Sequence, residues 1–200
     1  MKKAIALILL AAAAAGVVFA DGNKTITVSV ERIPSTIEEF VELRNDLAVT
    51  PEGGAAVFVV AMNMYVDDPE LGIKAFTIAL DRSQLQAAED GYKGFRPGFR
   101  YMNLIRSELK QKPYIAPSYF AGTAPDSAYR LPPPPYAIEI NTNPHSNIGP
   151  DEKKYFIRST GADSPRPIYL KKNNRGIWKV TNESLILGVR PPEQVIDDDL

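Results

Sequence analysis

Residues 50–70 read TPEGGAAVFVVAMNMYVDDPE, and the rest of the chain is organised around this stretch. Its centre, from Ala55 to Val66, contains no charged residue. Twelve uncharged residues are too few to cross the hydrocarbon core of a bilayer, but they are typical of a helix that is buried on most of its surface. The sequence therefore predicts a central helix that forms the hub of a packed globule.

Each end of this stretch carries a helix-start signal. Thr50-Pro51-Glu52 and Asp68-Pro69-Glu70 both place a capping side chain before a proline at the first helical position, followed by an acid near the positive end of the helix dipole. Two such starts in succession predict a helical hairpin. Its second helix is expected to run from Pro69 to about Leu85.

Two more elements are predicted upstream of the hairpin. Ser35-Thr36-Ile37-Glu38 matches a capping box, in which the serine and the glutamate satisfy free amides at the start of a helix. That helix is expected to bury Phe40 on one face and to leave Arg44 largely in solvent. Before it, Thr25–Val30 alternates polar and apolar residues, which predicts a half-buried strand.

The region downstream of the hairpin is rich in residues that end helices. Glycines and prolines between positions 91 and 98 predict a loop, and a fourth helix is expected from about Phe99 to Gln111, before Pro113. Seven prolines then fall within the 23 residues from 113 to 135. This composition, with aromatic residues to anchor it, predicts an ordered proline-rich strap along the globule.

The hydrophobic period changes in the last third of the chain. Short strand-like segments separated by turn residues predict an antiparallel β-meander, in which Asn173-Asn174-Arg175-Gly176 forms a hairpin turn. The segments cover residues 136–140, 154–159, 167–171 and 177–180. The predicted fold is α+β, with an N-terminal strand and helical cluster followed by the meander in a single domain over residues 21–192. The acidic residues 193–200 are predicted to form a disordered tail.

The first twenty residues have the three regions of a secretory signal peptide. Met1-Lys2-Lys3 is a positive head, Ala4 to Ala20 is uncharged, and the small residues before Asp21 predict cleavage between Ala20 and Asp21. The alternative is an uncleaved anchor, for which 17 residues reach only the lower limit of a span. Cleavage predicts a secreted or periplasmic protein without a stable membrane anchor.

Composition excludes several classes of function. A formal net charge of −1 provides no basic field for a nucleic-acid partner. The chain has no cysteine, and its single histidine, His145, lies in a predicted turn, so disulfides, thiolate metal sites and a histidine relay have no basis. Glycine-rich phosphate loops are also absent. We therefore expect no cofactor and no metal, and we identify no catalytic residue.

The stretch from Tyr92 to Lys112 departs from this neutral average, because it holds six cations and a single acid with aromatic residues interleaved. Arg96, Arg100, Tyr101 and Arg106 are therefore candidate residues for binding an anionic polymer, through charge and stacking on sugars. The alternative is a helix whose aromatic side chains pack inward while its cations stay in solvent.

Two further groups of candidate binding residues lie in later segments. Tyr114 and Tyr119 belong to the strap, and Asp163 and Arg166 belong to the loop Ser159–Pro167 between two predicted strands. The alternative for the loop is an internal clamp between Asp163 and Arg166 that makes it rigid.

Five segments together resemble an uncharacterised family of small exported bacterial domains, a domain of unknown function. They are Thr50–Ala56, Pro113–Phe120, Ser159–Pro167, Gly176–Val180 and Gly188–Pro192. The resemblance covers about Ile33 to Pro192 and implies a bacterial source and a single domain. It implies no activity and no catalytic residues.

Taken together, these features predict an exported, non-catalytic binding or structural domain of the cell envelope. Its partner is expected to be an envelope protein or an anionic polymer. The alternative is a small secreted hydrolase that uses carboxylates or a serine.

Overall fold

The computed structural model describes residues 23–193, so the predicted leader, its cleavage site at Ala20–Asp21 and the tail beyond Glu193 lie outside the described residues. The fold is α+β, as predicted. The elements are β1 (Lys24–Val30), α1 (Ile37–Leu47), α2 (Pro51–Asp67), α3 (Pro69–Ala79), β2 (Leu85–Tyr92), β3 (Phe95–Pro97), α4 (Phe99–Leu104), β4 (Tyr136–Thr142), β5 (Asn147–Gly149), β6 (Glu152–Ile157), β7 (Arg166–Lys172) and β8 (Trp178–Glu183).

A six-stranded antiparallel sheet forms one layer of the molecule. Its order is β1-β4-β6-β7-β8, and the short β5 pairs with β6. The last four strands of that order are in chain order, with only the short β5 between β4 and β6, which confirms the predicted meander. The N-terminal strand joins it at the edge, where β1 pairs with β4 along its whole length and Val28 lies opposite Ile138.

Helix α2 is the hub of the core, as its uncharged sequence predicts. Every residue from Gly53 to Tyr65 is buried. At Gly54 the helix approaches the sheet so closely that a Cβ would stand 2.8 Å from the Cβ of Trp178 in β8. The buried Asn63 donates from Nδ2 to the carbonyl of Ala116 at 3.2 Å, which ties the strap to the helix.

The second helix of the hairpin ends at Ala79, six residues earlier than predicted. Leu80 leaves the helix in an extended conformation and forms a parallel bridge with Val180 of β8. The amide of Asp81 then donates to the carbonyl of Val180 at 2.8 Å. Pairing with β8 thus ends the helix. The residues expected to form its last turn instead include a 3-10 turn over Arg82–Gln84, and the β2–β3 hairpin replaces the predicted loop.

The start of α1 is shifted by one residue from the predicted capping box. Thr36 is the cap, and its hydroxyl accepts from the amide of Glu39 at 3.2 Å. The carboxylate of Glu39 accepts from the amide of Ser35 at 2.8 Å. A hydroxyl and a carboxylate satisfy free amides as predicted, but they come from Thr36 and Glu39, and the carboxylate binds the amide of the residue before the cap. The fourth predicted helix is present as α4, which continues as a π-helical turn over Ile105–Leu109.

The strap is ordered by its tyrosines. The hydroxyl of Tyr119 donates to the carbonyl of Leu185 at 2.7 Å, and that of Tyr129 donates to the carbonyl of Arg190 at 2.6 Å. Tyr114 stacks on Tyr129 with ring centroids 5.8 Å apart. The strap is therefore pinned between the core and the C-terminal segment that follows β8.

Candidate anion-binding site

Four cationic side chains converge from four separate parts of the fold. Arg44 comes from the last turn of α1, Lys93 from the β2–β3 turn, Arg175 from the β7–β8 turn and Lys179 from β8. They line a cavity of about 240 Å³, which we call the cationic pocket. Its other lining residues are Thr77, Ile78, Leu85, Tyr92 and Phe95, so the lining contains no acid.

The turns that carry Lys93 and Arg175 each have a backbone conformation that their own residues favour. Lys93 and Gly94 have φ values of 51° and 80°, in the left-handed region that two-residue hairpin turns require. In the other turn Gly176 has a φ of 78°, and the side chain of Asn173 accepts from the amide of Arg175 at 2.9 Å. The turns therefore fix where these two cations stand at the mouth of the pocket.

Lys179 supplies the least solvated positive charge in the pocket. Its Nζ donates to the carbonyl of Ile78, at the end of α3. Burial and the nearby Arg44 together lower the pKa of Lys179 to about 8, against the opposing effect of Asp81.

Arg44 has no acceptor for its guanidinium among the described residues. Its Nε is buried without a hydrogen-bond partner, although buried donors are normally satisfied. Burial lowers the pKa of Arg44, Tyr92 opposes this effect, and the like charge of Arg175 adds to it. The sequence-based expectation that Arg44 lies largely in solvent is therefore wrong, because the fold leaves this residue half-buried in a pocket that it lines together with residues of the β2–β3 hairpin and β8.

Among the described residues, Asp81 compensates part of the pocket's positive charge through its electrostatic effect on Lys179, but no ion pair forms with a pocket cation. Within residues 23–193 six ion pairs form, for example Arg32 with Glu39 at 2.8 Å, and none of them includes a pocket cation. Like charges that share a cavity repel each other, and an anion bound between them removes this repulsion. The arrangement is therefore suited to binding an anion through charge-assisted hydrogen bonds.

Aromatic rings form one side of the site and are themselves in contact with cations. The guanidinium of Arg82 lies 4.0 Å from the ring centroid of Phe95, and the Nζ of Lys93 lies 5.4 Å from that of Tyr92. The site thus combines positive charge with aromatic surface, the chemistry predicted for the stretch from Tyr92 to Lys112.

Most of the predicted residues of that stretch lie elsewhere. Arg96 stands 4.0 Å from Asp90, and Arg100 donates to Asn182 of β8 at 3.1 Å. Arg106 is exposed on the π-helical turn. Tyr101 is buried, so it presents almost no surface to a ligand, whereas Phe99 of the same stretch is 74% exposed, so the alternative that the aromatic side chains pack inward holds for Tyr101 and not for Phe99.

The other predicted binding residues lie outside the lining of the cationic pocket. Tyr119 is buried, and Tyr114 is half-buried in its stack. Arg166 donates to the carbonyl of Gly188 in the C-terminal segment, and no ion pair joins it to the exposed Asp163, so the predicted clamp is not formed. The loop is held instead by hydroxyl contacts with the strap. Ser159 lies 2.8 Å from Ser118, both Oγ atoms being buried.

Sequence reasoning missed Arg44, Arg175 and Lys179 as site residues, and it counted Lys93 in the cationic stretch without naming it as a candidate. They lie on distant segments, and no spacing rule connects α1 with β8. One local signal exists: each turn that contributes to the pocket places a cation directly before a glycine, as Lys93-Gly94 and Arg175-Gly176.

Glu183 is the most buried acid of the described chain and lies outside the pocket. Its carboxylate accepts from the amides of Leu185 and Ile186, the latter at 3.2 Å. Burial raises the pKa of Glu183 to about 7, and these two amides and Arg100 oppose the shift. The carboxylate therefore caps a backbone turn.

Three further features of the described chain bear on its function. His145 lies in a turn, where its amide donates to Asn143 Oδ1 at 2.9 Å. The described residues contain no group of three or more histidines, cysteines or acids arranged to hold a metal ion. None of the described helices has both the length and the apolarity that a membrane span requires.

The comparisons with known proteins give one match. A family model described as a domain of unknown function, DUF6935, matches residues 32–193, a range that includes every residue of the cationic pocket. Neither the curated proteins nor the solved structures contain a match to this chain.

Proposed function

The chain belongs to the DUF6935 family, a domain of unknown function, and on that premise we propose that it is an exported, non-catalytic domain that binds an anionic polymer of the cell envelope. The observation that carries this proposal is the cationic pocket, in which four cations share one cavity whose lining contains no acid and, among the described residues, form no ion pair. Proteins keep such clusters where an anion is bound, because unliganded like charges destabilise the fold.

The exported location rests on the N-terminal sequence. A positive head, an uncharged core and small residues before Asp21 are typical of a cleaved leader. The absence of cysteine is compatible with either redox compartment. Many polymers outside the cytoplasmic membrane carry negative charge, so an exported domain with a positive cavity meets its ligand there.

Retention on purified cell-wall material tests the binding proposal. We expect the processed protein to be retained at low salt and released as salt rises, because exposed charge interactions are screened. A Lys93→Ala/Arg175→Ala variant removes two exposed cations from the pocket mouth. Its retention should fall by at least about tenfold, since each charge-assisted hydrogen bond contributes about 1.5–3 kcal/mol.

A charge-matched control separates the pocket from general surface charge. Arg106→Ala/Lys110→Ala removes two exposed cations at the end of the α4 segment, away from the pocket lining. This variant should be retained like the parent. Equal losses in both variants, or retention that does not respond to salt, would contradict the proposal.

Export is tested by intact mass and N-terminal sequencing of the protein from its native cell. The product should begin at Asp21 and be recovered outside the cytoplasm. A cytosolic product that keeps residues 1–20 would contradict this part of the proposal.

A further inference from the structure

We infer that the cationic pocket is a phosphate site, which takes a phosphate monoester group of its ligand against Arg44 and Lys179. This inference rests on the proposed function and narrows the ligand to one chemical class. The class is shared by a polymer that bears monoester groups and by a small phosphate ester. The experiments below distinguish these two sources.

The first argument is charge. Four cations line the pocket, and the lining contains no acid. A carboxylate or a sulfate ester has a single negative charge, which would leave most of the positive charge uncompensated. A phosphate monoester carries about 1.5 to 2 negative charges near neutral pH and has three acceptor oxygens. It therefore matches the pocket better in both charge and number of acceptors.

The second argument is the geometry of the donors. The guanidinium of Arg44 is a planar fork of N–H groups, which matches two oxygens of a phosphate, and the described residues offer it no acceptor. Lys179 is a compact point charge whose position is fixed, because its Nζ already donates to the carbonyl of Ile78. The guanidinium of Arg44 beside the ammonium group of Lys179 is therefore suited to binding one tetrahedral anion.

The third argument is size. The cavity of about 240 Å³ has the volume of roughly eight water molecules, which is more than one phosphate group needs. The remaining space is bounded by Leu85, Tyr92 and Phe95, all half-buried. An organic group attached to the phosphate would cover this apolar wall. The pocket therefore favours an ester over inorganic phosphate.

The pH range of binding follows from two titrations. A phosphate monoester gains its second charge above about pH 6. Lys179, whose pKa lies at about 8, loses its charge as the pH rises through that value, so affinity should be highest near about pH 7 and fall on both sides. The charged or titratable groups around Lys179 are Arg44, Asp81, Tyr92, Lys93 and Arg175.

Calorimetric titration of the processed protein with three matched probes tests the inference. Phenyl phosphate, phenyl sulfate and benzoate carry the same ring but differ in charge and geometry. At about pH 7 we expect phenyl phosphate to bind at least about tenfold more tightly than the other two. Inorganic phosphate should bind more weakly than phenyl phosphate, because it leaves the apolar wall uncovered.

Variants assign this binding to the pocket. Arg44→Gln should weaken phenyl phosphate by at least about tenfold, and Arg106→Gln should leave it unchanged. If Arg44→Gln lowers the thermal stability, Lys93→Ala/Arg175→Ala gives the same test with residues on exposed turns. Equal affinity for all three probes, or no effect of either pocket variant, would overturn the phosphate assignment.

Treating the cell-wall material with a phosphatase shows whether the bound phosphate belongs to the polymer or to a small phosphate ester. Loss of retention identifies monoester groups on the polymer. If phenyl phosphate binds but retention survives the treatment and is unchanged in the pocket variants, the site takes a small phosphate ester, and the polymer in the proposed function is not its ligand. Retention that survives the treatment and still depends on the pocket would overturn the phosphate assignment, because the polymer then binds there through another anionic group. If none of the probes binds while pocket-dependent retention persists, the phosphate inference fails and the proposed function stands.

Discussion

Gly72 of α3 lies so close to Tyr65 of α2 that a Cβ on the glycine would stand 2.2 Å from the Cα of Tyr65. Real Cβ contacts do not reach this distance, so the two helix backbones touch at a position where no side chain fits. This contact fixes the angle at which α2 and α3 cross. The position of α3 in turn places Leu80 beside Val180 of β8 and the carbonyl of Ile78 beside Lys179.

Gly72→Ala should therefore destabilise the protein. The methyl group has to displace the backbone of α2, which costs about 1–3 kcal/mol or more in a packed core. Urea unfolding measures the loss. Lys74→Ala, on an exposed position of the same helix, should change the free energy of unfolding by no more than about 0.5 kcal/mol. Equal stability of Gly72→Ala and the parent would show that the hairpin adjusts freely.

Replacing tyrosine by phenylalanine should affect the stability of the protein differently at two buried positions. The hydroxyl of Tyr119 donates to the carbonyl of Leu185 at 2.7 Å, whereas that of Tyr101 is buried without a partner. Tyr119→Phe should lower the free energy of unfolding by about 1 kcal/mol or more, because it also leaves a buried carbonyl unpaired. Tyr101→Phe removes a desolvated hydroxyl and should be neutral or stabilising. Thermal unfolding of both variants checks the contrast, which fails if Tyr101→Phe costs as much as Tyr119→Phe.

The raised pKa of Glu183 predicts that the free energy of unfolding depends on pH. Its pKa is raised from 4.5 to about 7 in the folded protein, mainly by burial. Between these values the folded state binds more protons than the unfolded state, so the free energy of unfolding falls as the pH rises through this window. The contribution is about 3 kcal/mol, since one pKa unit corresponds to about 1.4 kcal/mol.

Glu183→Gln removes this titration while keeping a carbonyl oxygen for the amides of Leu185 and Ile186. The variant should gain stability relative to the parent as the pH rises from about 5 to about 8. Chemical denaturation at several pH values measures the difference. A difference that stays constant over this range would mean that Glu183 does not titrate there.

Asn63 predicts a local effect on the strap. Its Nδ2 donates to the carbonyls of Val59 at 2.9 Å and of Ala116 at 3.2 Å. Asn63→Ala leaves the buried carbonyl of Ala116 without this donor, at a cost of about 1–3 kcal/mol. Hydrogen exchange should accelerate in the strap more than in the sheet. Asn45→Ala, on an exposed position of α1, is the matched control and should leave exchange unchanged.

The elements that could be predicted are those specified by local physics. A capping side chain followed by proline starts α2 and α3 where the sequence places these signals, because the free amides of a first turn need acceptors wherever the helix lies. The end of α3 was not predictable. It depends on Leu80 pairing with Val180, a partner 100 residues away.

The candidate site, like the helices, could be predicted only where local sequence specifies it. The stretch from Tyr92 to Lys112 is visible as a run of cations, yet it contributes only Tyr92, Lys93 and Phe95 to the pocket. Arg96 and Arg100 turn instead to Asp90 and Asn182. The direction of a side chain on a turn or helix depends on what packs beside it, and a charge count cannot supply that information.

By itself, the sequence determined the uncharged hub, the helix starts, the meander and the turn glycines, because burial of apolar surface and backbone conformation follow from residue type and period. Only the tertiary structure decided that Arg44 and Lys179 share one cavity. Their separation along the chain carries no information about distance in space, and the lowered pKa of Lys179 arises from burial and from the neighbouring Arg44, both of which exist only in the packed molecule.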